Sequence, residues 1–161
     1  MTALPSYTIA GHTITCPVEV RDASAGTVTF EVDAARAQDL IPGDSFDVAE
    51  TAPGRAQLTL AVIDYRDNDL GDYAEVGITT FVQPRGIEGA ETGTFITHLP
   101  VDQQFTCDAG QAIWGFPKTV ETIDFEWADT HLGTRLIMDG ELLFELTLPR
   151  GGEDDMDPMT M

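Results

Sequence analysis

Apolar and polar side chains alternate with a period of two along most of this chain, and no other feature limits its fold as much. Residues 13–20 and 26–32 carry apolar groups at every second position, as strands with one buried and one solvated face do. Residues 57–65, 73–82 and 93–101 repeat the pattern, and residues 46–50 suit a shorter strand. Residues 122–127 alternate cleanly, and residues 135–146 read as a hairpin whose Asp139-Gly140 centre suits a type I′ turn. About seven strands joined by short turns predict a mostly β protein of the α+β kind: an antiparallel two-layer sheet or distorted barrel enclosing a cleft.

Two short helices interrupt the strands. Asp33 is placed to cap residues 34–40, which Pro42 and Gly43 stop. Asp108-Ala109-Gly110-Gln111 has the form of a capping box, predicting a helix over residues 109–114. Gly115 suits a left-handed exit and Pro117 forbids continuation, which puts Lys118 on a stiff turn leaving that helix. Residues 1–150 read as one domain, and residues 151–161, acidic and without periodicity, read as a flexible tail.

Composition narrows the function. A length of 161 residues with 42% hydrophobic content supplies one substantial core. A net charge of −20 repels phosphates, so nucleic acid and anionic membrane are excluded as partners. Cys16 and Cys107 show no metal-ligand or redox spacing and read as free thiols. The acidic turn at residues 67–72 lacks the spacing of a calcium loop, so no metal is expected. Without a long apolar run or a positively charged leader at its start, the chain is expected to be cytoplasmic.

Of the 8 Lys and Arg residues only Lys118 is a lysine, and it follows Trp114-Gly115-Phe116-Pro117. Apolar surroundings disfavour an ammonium and expose the neutral amine as a nucleophile towards carbonyls. The alternative is a surface lysine that buries only its stem. In the strand over residues 73–82, alternation sets Tyr73, Glu75, Gly77 and Thr79 on one face, so Glu75 meets solvent or a polar cavity. Arg85, in a Gly- and Pro-marked loop, is either a clamp for a carboxylate or a surface charge. His98 is a second-line proton carrier or a structural histidine.

Tyr73-Ala74-Glu75-Val76-Gly77, the glycine-rich connection from Gly86 to Gly93, Ala109-Gly110-Gln111 and Gly115-Phe116-Pro117-Lys118 resemble, in order and spacing, the acetoacetate decarboxylase family over roughly residues 28–148. The resemblance implies a cone-like barrel, homo-oligomers and a cofactor-free site. It gives Lys118 the role of imine former and Glu75 that of the nearby carboxylate. Arg85, Thr119, Trp114, Phe116, Tyr73 and His98 become candidates for binding substrate. Departures are informative too: Thr119 stands where the family has a second lysine, and Gln111-Ala112 replaces Arg-Glu after Gly110. For the arginine that assists the substrate carboxylate, Arg21 is the nearest candidate. The implied activity is a Schiff-base lyase decarboxylating a small β-keto acid. The alternatives are an aldolase or dehydratase working through the same imine, and a non-catalytic small-molecule binder.

Overall fold

The structure, a computed structural model, describes residues 4–151. A hairpin of β1 (Ser6–Ile9) and β2 (His12–Thr15) precedes the long β3 (Val20–Asp33) and the short α1 (Ala34–Gln38). Then follow β4 (Phe46–Val48), β5 (Glu50–Ala52), β6 (Arg55–Asn68), β7 (Tyr73–Pro84) and β8 (Gly93–Val101). Helix α2 (Gln104–Ala109) runs into a π-helical turn (Gly110–Trp114), and β9 (Lys118–Val120) leaves it. The remaining strands are β10 (Thr122–Trp127), β11 (His131–Met138) and β12 (Glu141–Pro149).

The strands form two open layers beside the small hairpin. The larger sheet runs β3-β6-β7-β8-β9, with β4 on β7 and β5 on β6, and the smaller runs β10-β11-β12. All pairs are antiparallel except β8 with β9. Of the two expected architectures, the two-layer sheet is therefore the one realised. One face of the large sheet buries Val62, Ala74, Val76 and Ile78 against Ile123, Leu132 and Leu136 of the small sheet. The opposite face carries Tyr73 and Val101, packed with Ile14, Leu70, Cys107 and Ala109. Removing these side chains from water from both sides of β7 is the main driving force that fixes its register.

Most expected elements are present, with informative shifts. The strand predicted over 13–20 stops at Thr15, since Pro17 cannot donate to a ladder. The strand predicted over 26–32 extends back to Val20, because β6 offers partners from Val20↔Asn68 to Asp33↔Arg55. Asp33 Oδ1 accepts from the Arg36 N–H at 3.0 Å, capping α1 as read from sequence. Asp139 and Gly140 both have positive φ, 51° and 81°, as the type I′ reading requires.

The second helix corrects the expectation. It begins at Gln104, and Gln103 caps it, its Oε1 accepting from the Thr106 N–H at 3.0 Å. Asp108 lies inside the helix and accepts from Gln104 Nε2 at 2.7 Å. Gly115 does take the left-handed exit, φ 70°. Lys118 opens a strand rather than a turn. Apart from Gly151, the tail expected at residues 151–161 lies outside the described residues.

Candidate active site

Register brings Glu75 and Lys118 to one face of the large sheet. Glu75 pairs with Val101 on β8, and two residues back Leu99 pairs with Lys118 on β9. Paired residues share a face, as do residues i and i+2. The two backbones stand two strands apart, about 10 Å, a gap that a lysine and a glutamate reaching towards each other can close. Lys118 Nζ lies 2.7 Å from Glu75 Oε2, with side-chain exposures of 4% and 9%.

A charge pair this dry is tolerated only when further contacts offset lost hydration. The ammonium also donates to Thr106 Oγ1 at 3.2 Å and lies 5.0 Å from the centre of the Tyr73 ring. Thr106 is fully buried on α2, so the helix supplies the second acceptor. The aromatic face adds attraction for a desolvated cation.

The π-helical turn holds the lysine stem. A Cβ placed on Gly110 would stand 2.5 Å from Lys118 Cδ and 2.8 Å from Cε, so only a residue without a side chain leaves that path open. Gln111 Nε2 donates to the Lys118 carbonyl at 2.7 Å, anchoring the backbone that the stem leaves from. Widened helical turns of this kind recur where a helix must present or admit a functional group.

Two tyrosines complete the floor. Tyr65 on β6 pairs with Tyr73 on β7, and their rings stack at 4.5 Å. Burial, and secondarily the Glu75 charge, pushes the Tyr73 hydroxyl up to about 12. The same causes in the same order push Tyr65 higher still. Both phenols therefore stay protonated and can donate. Burial, then the Asp108 charge, raises the Cys107 thiol, which keeps it from competing as a nucleophile.

Not every residue singled out from the sequence comes to this place. Trp114 and Phe116 stack at 5.9 Å on the segment leading to Lys118, with Trp114 exposed. Thr119 pairs with Pro100, and His98 with Ile78, on the sheet face opposite to Lys118. His98 lines a separate cavity of about 480 Å³ with Ile78, Met138 and Leu142. Arg85 lies beyond the far end of β7, its Nε bonded to Asp47 Oδ1 at 2.7 Å. Arg21 is held by Asp67 and Asp69 of the acidic turn, at 2.8 and 2.7 Å. Among the described residues no arginine is ion-paired to Glu75.

The placement of Thr119 has a testable consequence. A lysine there would stand on the other side of the sheet, so its charge would be separated from Lys118 by the sheet itself. Thr119→Lys is expected to leave the rate and pH profile of Lys118 modification within about twofold of the parent; a marked acceleration near neutral pH would contradict the register.

Thr106, Gly110 and Tyr65 were not among the sequence candidates. Tyr65 had a usable signal, because a hairpin centred on the acidic turn at residues 67–72 sets it opposite Tyr73. Nothing local in the sequence marks Thr106, and Gly110, though part of the Ala109-Gly110-Gln111 motif, carries no local sign that the Lys118 stem crosses it.

Comparison with known proteins bears on the same region. The sequence model of the family described as acetoacetate decarboxylase matches residues 4–158. No curated protein matches the sequence. Among solved structures, an acetoacetate decarboxylase from Legionella pneumophila superposes with TM-score 0.69 at 21% identity, over 83% of this chain and 50% of its own. An acetoacetate decarboxylase-like enzyme from Sphingomonas wittichii RW1 gives 0.58 at 21% identity, over 78% and 55%. The enduracididine biosynthesis enzyme MppR, complexed with the condensation product of pyruvate and imidazole 4-carboxaldehyde, gives 0.65 at 16% identity, over 98% and 68%. The chain thus spans about half the length of the first two, and at these identities the likeness is one of fold.

Proposed function

The chain belongs to the acetoacetate decarboxylase family, and from that membership and the buried Lys118–Glu75 pair we propose a lysine-dependent Schiff-base lyase that decarboxylates a small β-keto acid. The observation that carries the reading is the 2.7 Å contact between the chain's only lysine and a nearly buried carboxylate. A nucleophilic amine must first lose a proton, and the acceptor is already in contact with it.

Each step conserves atoms and charge. Glu75 takes a proton from the Lys118 ammonium, and the amine adds to the ketone carbon. A proton moves from the adduct's nitrogen to its oxygen to give the neutral carbinolamine, and the protonated carboxyl then gives its proton to that hydroxyl, which leaves as water and yields an iminium. The C–C bond to the carboxylate then breaks, CO2 departs, and its electron pair flows into the iminium to give an enamine. A proton on the enamine carbon, then water on the regenerated iminium, releases the ketone and frees Lys118. The iminium is itself the electron sink, so the residues of the chain suffice for this chemistry. The proposed working unit is the domain of residues 1–150 acting in a homo-oligomer; the exposed Leu142, Leu143, Val20 and Phe30 support association.

A second reading uses the same iminium for aldol addition or dehydration. It is favoured by the superposition, over 98% of this chain, of an enzyme holding a condensation product of pyruvate and an aldehyde. Product analysis separates the two. Equal release of CO2 and ketone from a β-keto acid supports decarboxylation, whereas a retained carboxylate with a new C–C bond or a lost water supports the second reading. Absence of any product and of any trapped adduct leaves a small-molecule binder and overturns both.

A further inference from the structure

We propose that Tyr65, which neither the family motifs nor the lysine contacts point to, is a positioning residue for Glu75: its hydroxyl donates to the carboxylate and turns Oε2 towards the Lys118 amine. The inference deepens the imine reading and rests on it.

Strand register supplies the geometry. Ile63 pairs with Glu75 and Tyr65 with Tyr73, so Tyr65 is the diagonal neighbour of Glu75 on the same face, a distance that an aromatic side chain spans. The stack with Tyr73, 4.5 Å between centroids and 28° between planes, fixes the direction of the Tyr65 ring. The register therefore sets Tyr65 on the face that carries Glu75 and Tyr73, and burial, then the Glu75 charge, raises its hydroxyl's pKa. Tyr73 is already engaged, because its ring underlies the Lys118 ammonium at 5.0 Å.

The carboxylate has two oxygens, and one is occupied. Oε2 takes Lys118 Nζ at 2.7 Å, and a carboxylate left with a bare second oxygen in a dry site would be penalised. Tyr65 stays protonated and can only donate to it. The titratable or charged groups facing Glu75 are Lys118 from β9, Tyr73 from its own strand, Tyr65 from β6 and, beyond Lys118, Cys107 with its neighbour Asp108 from α2. Among these, Lys118 is in contact with the carboxylate, and Tyr65 is the proposed second donor.

Imine formation with formaldehyde, trapped by cyanoborohydride and read at Lys118 by peptide mass, tests the proposal without a keto acid. In the full chain, Tyr65→Phe keeps the ring stack and removes only the hydroxyl. The expected result is trapping slower by about tenfold to a hundredfold, the effect of losing one hydrogen bond to a charged group. The pH profile of trapping should also be displaced from the parent's, which a loss of packing alone would not do. Tyr65→Leu removes ring and hydroxyl together and serves as the second variant. A shift common to both variants supports positioning by the hydroxyl. A Tyr65→Phe profile that superimposes on the parent overturns it, whether or not Tyr65→Leu is impaired, because Tyr65 would then only pack. Should keto acids fail to trap in the parent while the formaldehyde profile still shifts in Tyr65→Phe, the keto-acid reading falls and the positioning role stands.

Discussion

Turnover of a β-keto acid is expected to fall by about two to four orders of magnitude in Glu75→Gln, the range that a positioned acid–base group contributes. Glutamine keeps the size of the side chain and an oxygen for Lys118, yet it cannot take the proton from the ammonium or return one to the carbinolamine. Because Lys118 Nζ has Glu75 and Thr106 as its polar partners, the exchange also leaves a buried cation without its counter-charge. That arrangement costs about 3–5 kcal/mol when one member of a buried pair is removed. Denaturant midpoints measured beside the kinetics separate the two effects. A variant that turns over substrate at the parental rate would remove Glu75 from the chemistry.

Gly110→Ala should reach the same pair from the side of the lysine stem. Gly110 has helical dihedrals, φ −60° and ψ −43°, and in a helix alanine is ordinarily the better residue by about 0.5–1 kcal/mol. Here the added methyl would overlap the Lys118 stem, 2.5 Å from Cδ. The methyl should therefore displace the ammonium from Glu75 and Thr106, and separating the buried charges should lower stability by more than the helix preference of alanine returns. A displacement of about 1 Å at a reacting centre costs about a hundredfold in rate, so imine formation at Lys118 should fall at least that far. Thermal unfolding and reductive trapping on the same sample check it; parental trapping in Gly110→Ala would show that the stem has another path.

Local signals singled out Lys118 and Glu75 but left a surface position open for each, and the resemblance of the flanking motifs to the family decided between them. The lone lysine among apolar neighbours marked Lys118, and strand parity separated Glu75 from the core-facing Ala74, Val76 and Ile78. Parity within one strand says nothing about how strands lie beside one another, and that is why the structure sets several outer candidates away from the pair. Thr119 is next to Lys118 in sequence but on the opposite face, as is His98 relative to Leu99. Arg85 lies nine residues beyond the β7 position of Tyr73-Ala74-Glu75-Val76, bonded to Asp47 of β4 at 2.7 Å. Their charges and shapes were legible, but their distances depend on pairings that only the folded sheet fixes. The helix start was misread for a local reason. Asp108 and Gln111 satisfy the spacing of a capping box, whereas the groups that use them are the Gln104 side chain and the Lys118 carbonyl. Gly110 illustrates the remaining limit, since the need for glycine there arises from a side chain eight residues onward that crosses over the turn.

The most direct test of the account is the site of covalent capture. With a β-keto acid and borohydride, the reduced adduct should map by peptide mass to Lys118, and Lys118→Arg should abolish it while leaving the protein folded. An adduct found only on the α-amino group of Met1, or an equal yield from Lys118→Arg, would contradict imine catalysis at this site.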